Sequence, residues 1–231
     1  MTWSFHYGIE KGVTELTKEE KAIQYIQEKN YEEAAKTFIE IIEEDPDNPI
    51  GYVNFGNLLI QMQQLEEAER FLLKAIELDE NAATAYYSLG NLYYDSNLFK
   101  EAEKMYQKTI SLGLEDSDVY FMLGMTYVKR QYYQLAIPFL QRAVELKEDV
   151  DKLFQYGLAL AQVDYLKEAE SILLKVIEKD ENHADALYNL GIIEVHRDQD
   201  KKAMQYFEKA LASQPDHKLA ENALHSLKSG K

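Results

Sequence analysis

Apolar and polar positions alternate along this chain with a helical beat that is broken and restarted at regular intervals. The stretch from Tyr86 to Leu112 shows the unit. Tyr86, Leu89, Gly90 and Tyr93 recur at helical spacing, a polar break follows at Ser96-Asn97, and Ala102, Tyr106 and Ile110 resume the spacing. Apolar residues three and four apart share one face of a helix, so the stretch predicts two short amphipathic helices joined by a turn, a helical hairpin. Gly90 and Ala102 put no bulk in the way, so the two helices are expected to approach closely where they cross.

The same anchors return down the chain. The small residue of the second helix appears as Ala34, Ala68, Ala102, Ala136, Ala169 and Ala203, at steps of 34, 34, 34, 33 and 34 residues. That of the first helix appears as Ala22, Gly56, Gly90, Gly124, Gly157 and Gly191. Bulky residues precede the glycines (Phe55, Leu89, Leu123, Tyr156, Leu190), and Phe38, Leu72, Tyr106, Leu140, Leu173 and Phe207 follow each alanine by four. This pattern resembles the tetratricopeptide repeat, whose signature is an aromatic, Leu-Gly, Tyr, then Ala, Phe and Pro over 34 residues. The resemblance covers nearly the whole chain and implies an all-α fold, a superhelical array of antiparallel helix hairpins of the α-solenoid kind. Six repeats are expected within 15–217, at 15–48, 49–82, 83–116, 117–149, 150–183 and 184–217, followed by a capping helix and tail at 218–231.

The departures also carry information. Lys18 and Lys21 make the outer side of the first helix polar, as suits a terminal repeat with no neighbour. Glu194 stands where other repeats have Tyr or Leu, and the closing Pro survives only as Pro46 and Pro215. The short step falls in the turn around Lys147-Glu148-Asp149, and Pro138 lies early in a second helix, where it costs one backbone bond. Thr17-Lys18-Glu19-Glu20 reads as a capping box. Ahead of it, Trp3, Phe5, Tyr7 and Ile9 alternate with polar or small residues, so 1–14 is expected to be an extended segment outside the repeats. After Pro215, Leu219, Ala220, Ala223, Leu224 and Leu227 form one apolar stripe, as a helix closing an array requires.

A formal charge of −16 argues against nucleic acid and anionic membrane as partners. No cysteine is present, which excludes disulfides, thiol nucleophiles and Cys-ligated metal. No apolar run is long enough to span a membrane, and no signal peptide is evident, so a cytoplasmic location is expected. Much of the acid sits in the inter-repeat turns, as in Asp45-Pro46-Asp47-Asn48, Asp79-Glu80-Asn81, Glu115-Asp116-Ser117-Asp118 and Asp180-Glu181-Asn182, where it is expected to cap the helices that follow. Nucleotide, hydrolase and metalloprotease motifs are absent. His217 and His225 lie eight apart near the C-terminus and read as ordinary surface histidines rather than a metal site. No enzyme activity, cofactor or metal is expected.

In the resembled family the first helices line a concave groove that holds peptides. Three residues before each anchor glycine stand Val53, Tyr87, Phe121, Phe154 and Tyr188; just after it stand Asn57, Asn91, Met125, Leu158 and Ile192. Ile60, Tyr94, Val128, Ala161 and Val195 follow by four. Helical spacing places these on one side, apart from the hairpin core. Asn54, Asn57, Asn91 and Asn189 can both donate and accept, as an extended peptide backbone requires. Tyr87, Tyr94, Phe121, Phe154, Leu158 and Tyr188 can take apolar side chains, with Met125 as an adaptable contact. A subclass of the family grips a terminal carboxylate with Lys and Arg; the matching positions hold Val53, Asn57, Ser88, Asp118 and Met122, so that clamp is missing here. Asp118, Asp151 and Asp185 line one margin instead. The resemblance therefore implies a non-catalytic adaptor holding an apolar protein segment, with Lys or Arg beside its apolar residues if the acidic margin takes part. The alternative is a self-assembling scaffold whose N-terminal segment or end helices join copies into a homo-oligomer.

Overall fold

The structure is a computed structural model that describes residues 16–229, and the expected extended segment at 1–14 lies outside them. Thirteen helices and no strand occur among the described residues. They are α1 (Lys18–Gln27), α2 (Tyr31–Glu44), α3 (Pro49–Gln61), α4 (Leu65–Leu78), α5 (Ala83–Asp95), α6 (Phe99–Ser111) and α7 (Ser117–Lys129). The series continues with α8 (Tyr133–Leu146), α9 (Val150–Gln162), α10 (Leu166–Lys179), α11 (Ala184–His196), α12 (Asp200–Ser213) and α13 (Lys218–Ser229). The chain is an all-α array of helical hairpins. The chain divides within α5 into two compact units, one ending at Ala85 and one beginning at Tyr86.

In the first unit α1 packs on α2, α2 on α3 and α3 on α4. Thr17 opens it with the expected capping box: its Oγ1 accepts from Glu20 N–H at 3.2 Å, and its own N–H donates to Glu20 Oε2 at 2.8 Å. Lys18 reaches across to Glu44 and Glu40 of α2, at 2.7 and 3.0 Å. Phe38, Leu58 and Leu72 form the buried centre of this unit, and Phe55 meets Phe71 edge to face at 4.6 Å.

In the second unit each helix from α6 onward packs on the next, and α7 also touches α9. The anchor alanines Ala102, Ala136, Ala169 and Ala203 are wholly buried. What lies opposite each glycine is not the small alanine but the bulky residue four positions beyond it. A Cβ on Gly90 would lie 2.6 Å from Tyr106 Cε1, one on Gly124 2.7 Å from Leu140 Cδ2, and one on Gly191 2.4 Å from Phe207 Cε1. The glycine is a hole and the large residue of the second helix is the knob that fills it. α13 closes the unit by burying Ala220 and Leu224 against Leu187, Phe207 and Ala210.

The turns follow from backbone geometry. Every hairpin reverses through a non-glycine residue in the left-handed region: Lys29, Gln63, Asn97, Gln131, Asp164 and Asp198, with φ between 56° and 62°. The next residue's N–H then reaches back to the core position of the first helix, as Tyr132 N does to Tyr127 O at 2.9 Å. This satisfies a carbonyl that the helix end would leave free. Between hairpins, Asn48 caps α3, Asp116 caps α7 and Asp149 caps α9. Asp79 and Asp180 instead bond Asn81 N and Asn182 N within their turns. The linker before α9 has lost one residue relative to that before α11, and α8 runs unbroken through Pro138.

Candidate functional site

Asn54 and Asn57 belong to the first unit; the other nine predicted residues belong to the second. Within the second unit, Tyr87, Phe121, Phe154 and Tyr188 are all half-buried, one from each of α5, α7, α9 and α11. Each ring has one side in the core. Tyr87 lies 6.0 Å from Tyr106, Phe154 lies 4.6 Å from His183, and Tyr188 lies 5.8 Å from Phe207 and 5.3 Å from His217. Tyr94 stands edge-on to Phe99 at 5.5 Å, while Met125 and Phe121 pack against the cluster around Tyr106 and Leu123. Leu158 is half-buried on α9. The ladder is therefore both internal packing and surface.

The asparagines are more committed than their spacing suggested. Asn91 Oδ1 accepts from Tyr106 O–H at 2.8 Å. Burial pushes the Tyr87 hydroxyl up to about 12, with a hydrogen bond to Asn91 pulling the other way. Asn91 thus ties two tyrosines together, its carbonyl accepting from Tyr106 and its amide N–H donating to the Tyr87 oxygen. Asn189 donates to the Asp185 carbonyl of its own helix at 2.7 Å. In the first unit, Asn57 Oδ1 is buried without a partner, because Leu72 stands where α6 has Tyr106. Asn54 beside it is half-buried.

The acidic margin is also partly spoken for. Lys152 is buried, and its ammonium reaches Ser117 Oγ and Asp118 Oδ1, both at 2.7 Å, and Asp149 Oδ2 at 3.3 Å. Ser117 O–H in turn donates to the Ala143 carbonyl at 2.8 Å. Lys152 also lies 6.0 Å over the Phe121 ring. The clamp positions compared above hold no cation, but this one arrives from the position that holds Gly51, Ala85, Val119 and Ala186 in other hairpins. A long cation in a small-residue series was the available signal.

Asp185 is engaged by His217 Nε2 at 3.1 Å, while Asp151 is exposed. The reading of His217 as a surface histidine is corrected. It is buried and caps α13, its Nδ1 accepting from Ala220 N–H at 3.1 Å, which leaves the proton on Nε2 to donate to Asp185. His183 caps α11 in the same way through Ala186 N–H at 3.2 Å. His225 is exposed, and no cluster of three metal-ligating side chains occurs among the described residues.

Profiles of the tetratricopeptide repeat match residues 25–89, 82–113 and 117–150. A profile of the coatomer epsilon subunit matches 151–228. The chain is 45% identical to YrrB, described as a TPR protein with an unusual peptide-binding site, over 82% of this chain and 98% of that one, with a TM-score of 0.78. It belongs to the tetratricopeptide repeat family. MamA is 24% identical with a TM-score of 0.68, covering 72% of this chain and 92% of its own. The pilF protein of Pseudomonas aeruginosa is 15% identical with a TM-score of 0.74, covering 93% and 96%. These two share the fold. A search of curated proteins finds no match. Tetratricopeptide repeat proteins are generally protein-interaction modules, and no described helix is long and apolar enough to cross a membrane.

Proposed function

We propose that this tetratricopeptide repeat protein is a non-catalytic adaptor that holds an extended, mainly apolar peptide segment along the ladder of its second unit. The observation that carries this reading is the row Tyr87, Phe121, Phe154 and Tyr188: four half-buried rings on successive odd-numbered helices, each backed by a packed core. Rings fixed from behind give up little freedom on binding, which favours them as anchors. The similarity to YrrB, with its peptide-binding site, points the same way.

Charge takes a secondary part. Asp118 is drawn to Lys152 and Asp185 to His217, so two of the three margin acids already have partners. The preferred segment is accordingly apolar first and only tolerant of Lys or Arg. Selection from a random-peptide display library tests this. The wild-type protein should enrich sequences with apolar residues at regular intervals, and a folded Phe121→Ala/Phe154→Ala variant should lose that enrichment. Selection of the same sequences by both proteins would remove the ladder from consideration.

A further inference from the structure

Three residues after the anchor small residue, five first helices place Tyr25, Leu59, Tyr93, Tyr127 and Leu160, while α11 places Glu194. The α7 case shows what that position normally does. Tyr127 is buried with its ring stacked on Phe139 of α8, 5.5 Å away at 20°. Its hydroxyl donates to Glu103 Oε1 of α6 at 2.9 Å and accepts from Gln107 Nε2 at 3.0 Å. Arg130 closes the arrangement by pairing with Glu103.

Two repeats further on, most of that socket is present again. Tyr206 of α12 stands in the place of Phe139, Glu170 of α10 in that of Glu103, and Arg197 in that of Arg130. Arg197 pairs with Glu170 at 2.7 Å, as Arg130 does with Glu103. The phenol is what has gone. In its place lies a cavity of about 250 Å³ lined by Glu170, Glu194, Lys202, Gln205, Tyr206 and Lys209.

Glu194 does not fill the gap or satisfy itself in it. Its side chain is 4% exposed, yet Oε2 has no hydrogen-bond partner; Lys202 Nζ stands off at 4.0 Å, and Arg197 lies 3.5 Å from Oε1. A buried carboxylate oxygen without a donor is costly, and a charge-assisted O–H donor is among the strongest remedies.

We propose that this cavity is a binding site for a phenolic ring. The ring stacks on Tyr206 as Tyr127 stacks on Phe139, and the hydroxyl donates to the Glu194 carboxylate, whose Oε2 is closed off in the unliganded chain and is reached when the side chain turns into the cavity. The phenol can be a free small molecule or a tyrosine side chain of another protein. This site is separate from the ladder, so its fate and that of the adaptor reading are decided by different residues.

The full chain is titrated by calorimetry with p-cresol, with toluene (the same shape without the hydroxyl) and with N-acetyltyrosinamide. p-Cresol should bind at least about tenfold more tightly than toluene, the factor expected from one hydrogen bond to a charged group. Glu194→Tyr, which restores the side chain that α7 carries, should abolish p-cresol binding while the protein stays helical. N-acetyltyrosinamide binding as well as p-cresol supports a tyrosine ligand; p-cresol binding alone supports a free phenol. Equal affinity for p-cresol and toluene, no binding of p-cresol, or undiminished binding by a folded Glu194→Tyr protein would overturn the proposal. The wild-type comparison decides the matter even if the variant fails to fold.

Discussion

Substituting Ala for Gly191 tests the knob-and-hole account of the hairpins. Inside a helix the change brings about 1 kcal/mol of improved helix propensity. Against this, the new Cβ would meet Phe207 Cε1 at 2.4 Å and Cδ1 at 2.7 Å. Phe207 has 0% exposure and no flexible end to swing aside. Overpacking of this kind costs about 1–3 kcal/mol, and such close contacts place it at the upper end, so a net loss of about 2 kcal/mol is expected. Gly51→Ala is the control, since its Cβ would meet only Ile42 Cγ1 at 3.2 Å and Ile41 Cγ2 at 3.5 Å. There the helix gain should survive as about 0.5 kcal/mol of stabilisation. Urea unfolding followed by circular dichroism reads both, with midpoints and slopes compared because a repeat array need not unfold in one step. Gly191→Ala at least as stable as wild type, or Gly51→Ala the worse of the two, would refute the reasoning.

Asp118→Ala should cost about 3 kcal/mol, because it leaves the buried Lys152 ammonium short of its nearest counter-charge. Lys152→Met should cost about 1 kcal/mol or less, since the freed Asp118 and Asp149 side chains are 59% and 40% exposed and water can serve them; urea midpoints give the order. Gln131→Gly should stabilise the fold by about 1 kcal/mol, seen in the same unfolding curves, by relieving a φ of 62° that a side chain disfavours. Tyr87 has its folded-state value raised from 10.0 to about 12, so its contribution is intact below pH 10 and is lost as pH climbs towards 12. Stability should fall there by about 1.4 kcal/mol per pH unit for this group, and Tyr87→Phe should flatten that part of an alkaline denaturation series.

The hairpins were legible because the glycine, alanine and bulky positions repeat at nearly constant steps, and packing two helices leaves few other uses for such a pattern. The ladder was legible as positions on one helix side. Its backing was not, because the groups behind Tyr87, Phe154 and Tyr188 come from elsewhere in the chain: Tyr106, His183, and Phe207 with His217. Asn91 illustrates the limit. Its position was visible in the sequence, but the Tyr106 hydroxyl that occupies its carbonyl depends on a crossing between α5 and α6. Glu194 stood out as a departure from the pattern, yet the cavity beside it also required knowing that Tyr206 and Glu170 frame the place of a missing ring.

Cross-saturation NMR from a display-selected peptide to the methyl groups of the full chain measures most directly where a partner lies. The ladder account predicts transfer to Met125, Leu158, Ile192 and Val195, which flank the rings, and none to the exposed Leu135 and Leu174 on the second helices. Transfer to Leu135 and Leu174 with the ladder methyls silent would contradict it and place the partner on the opposite helices.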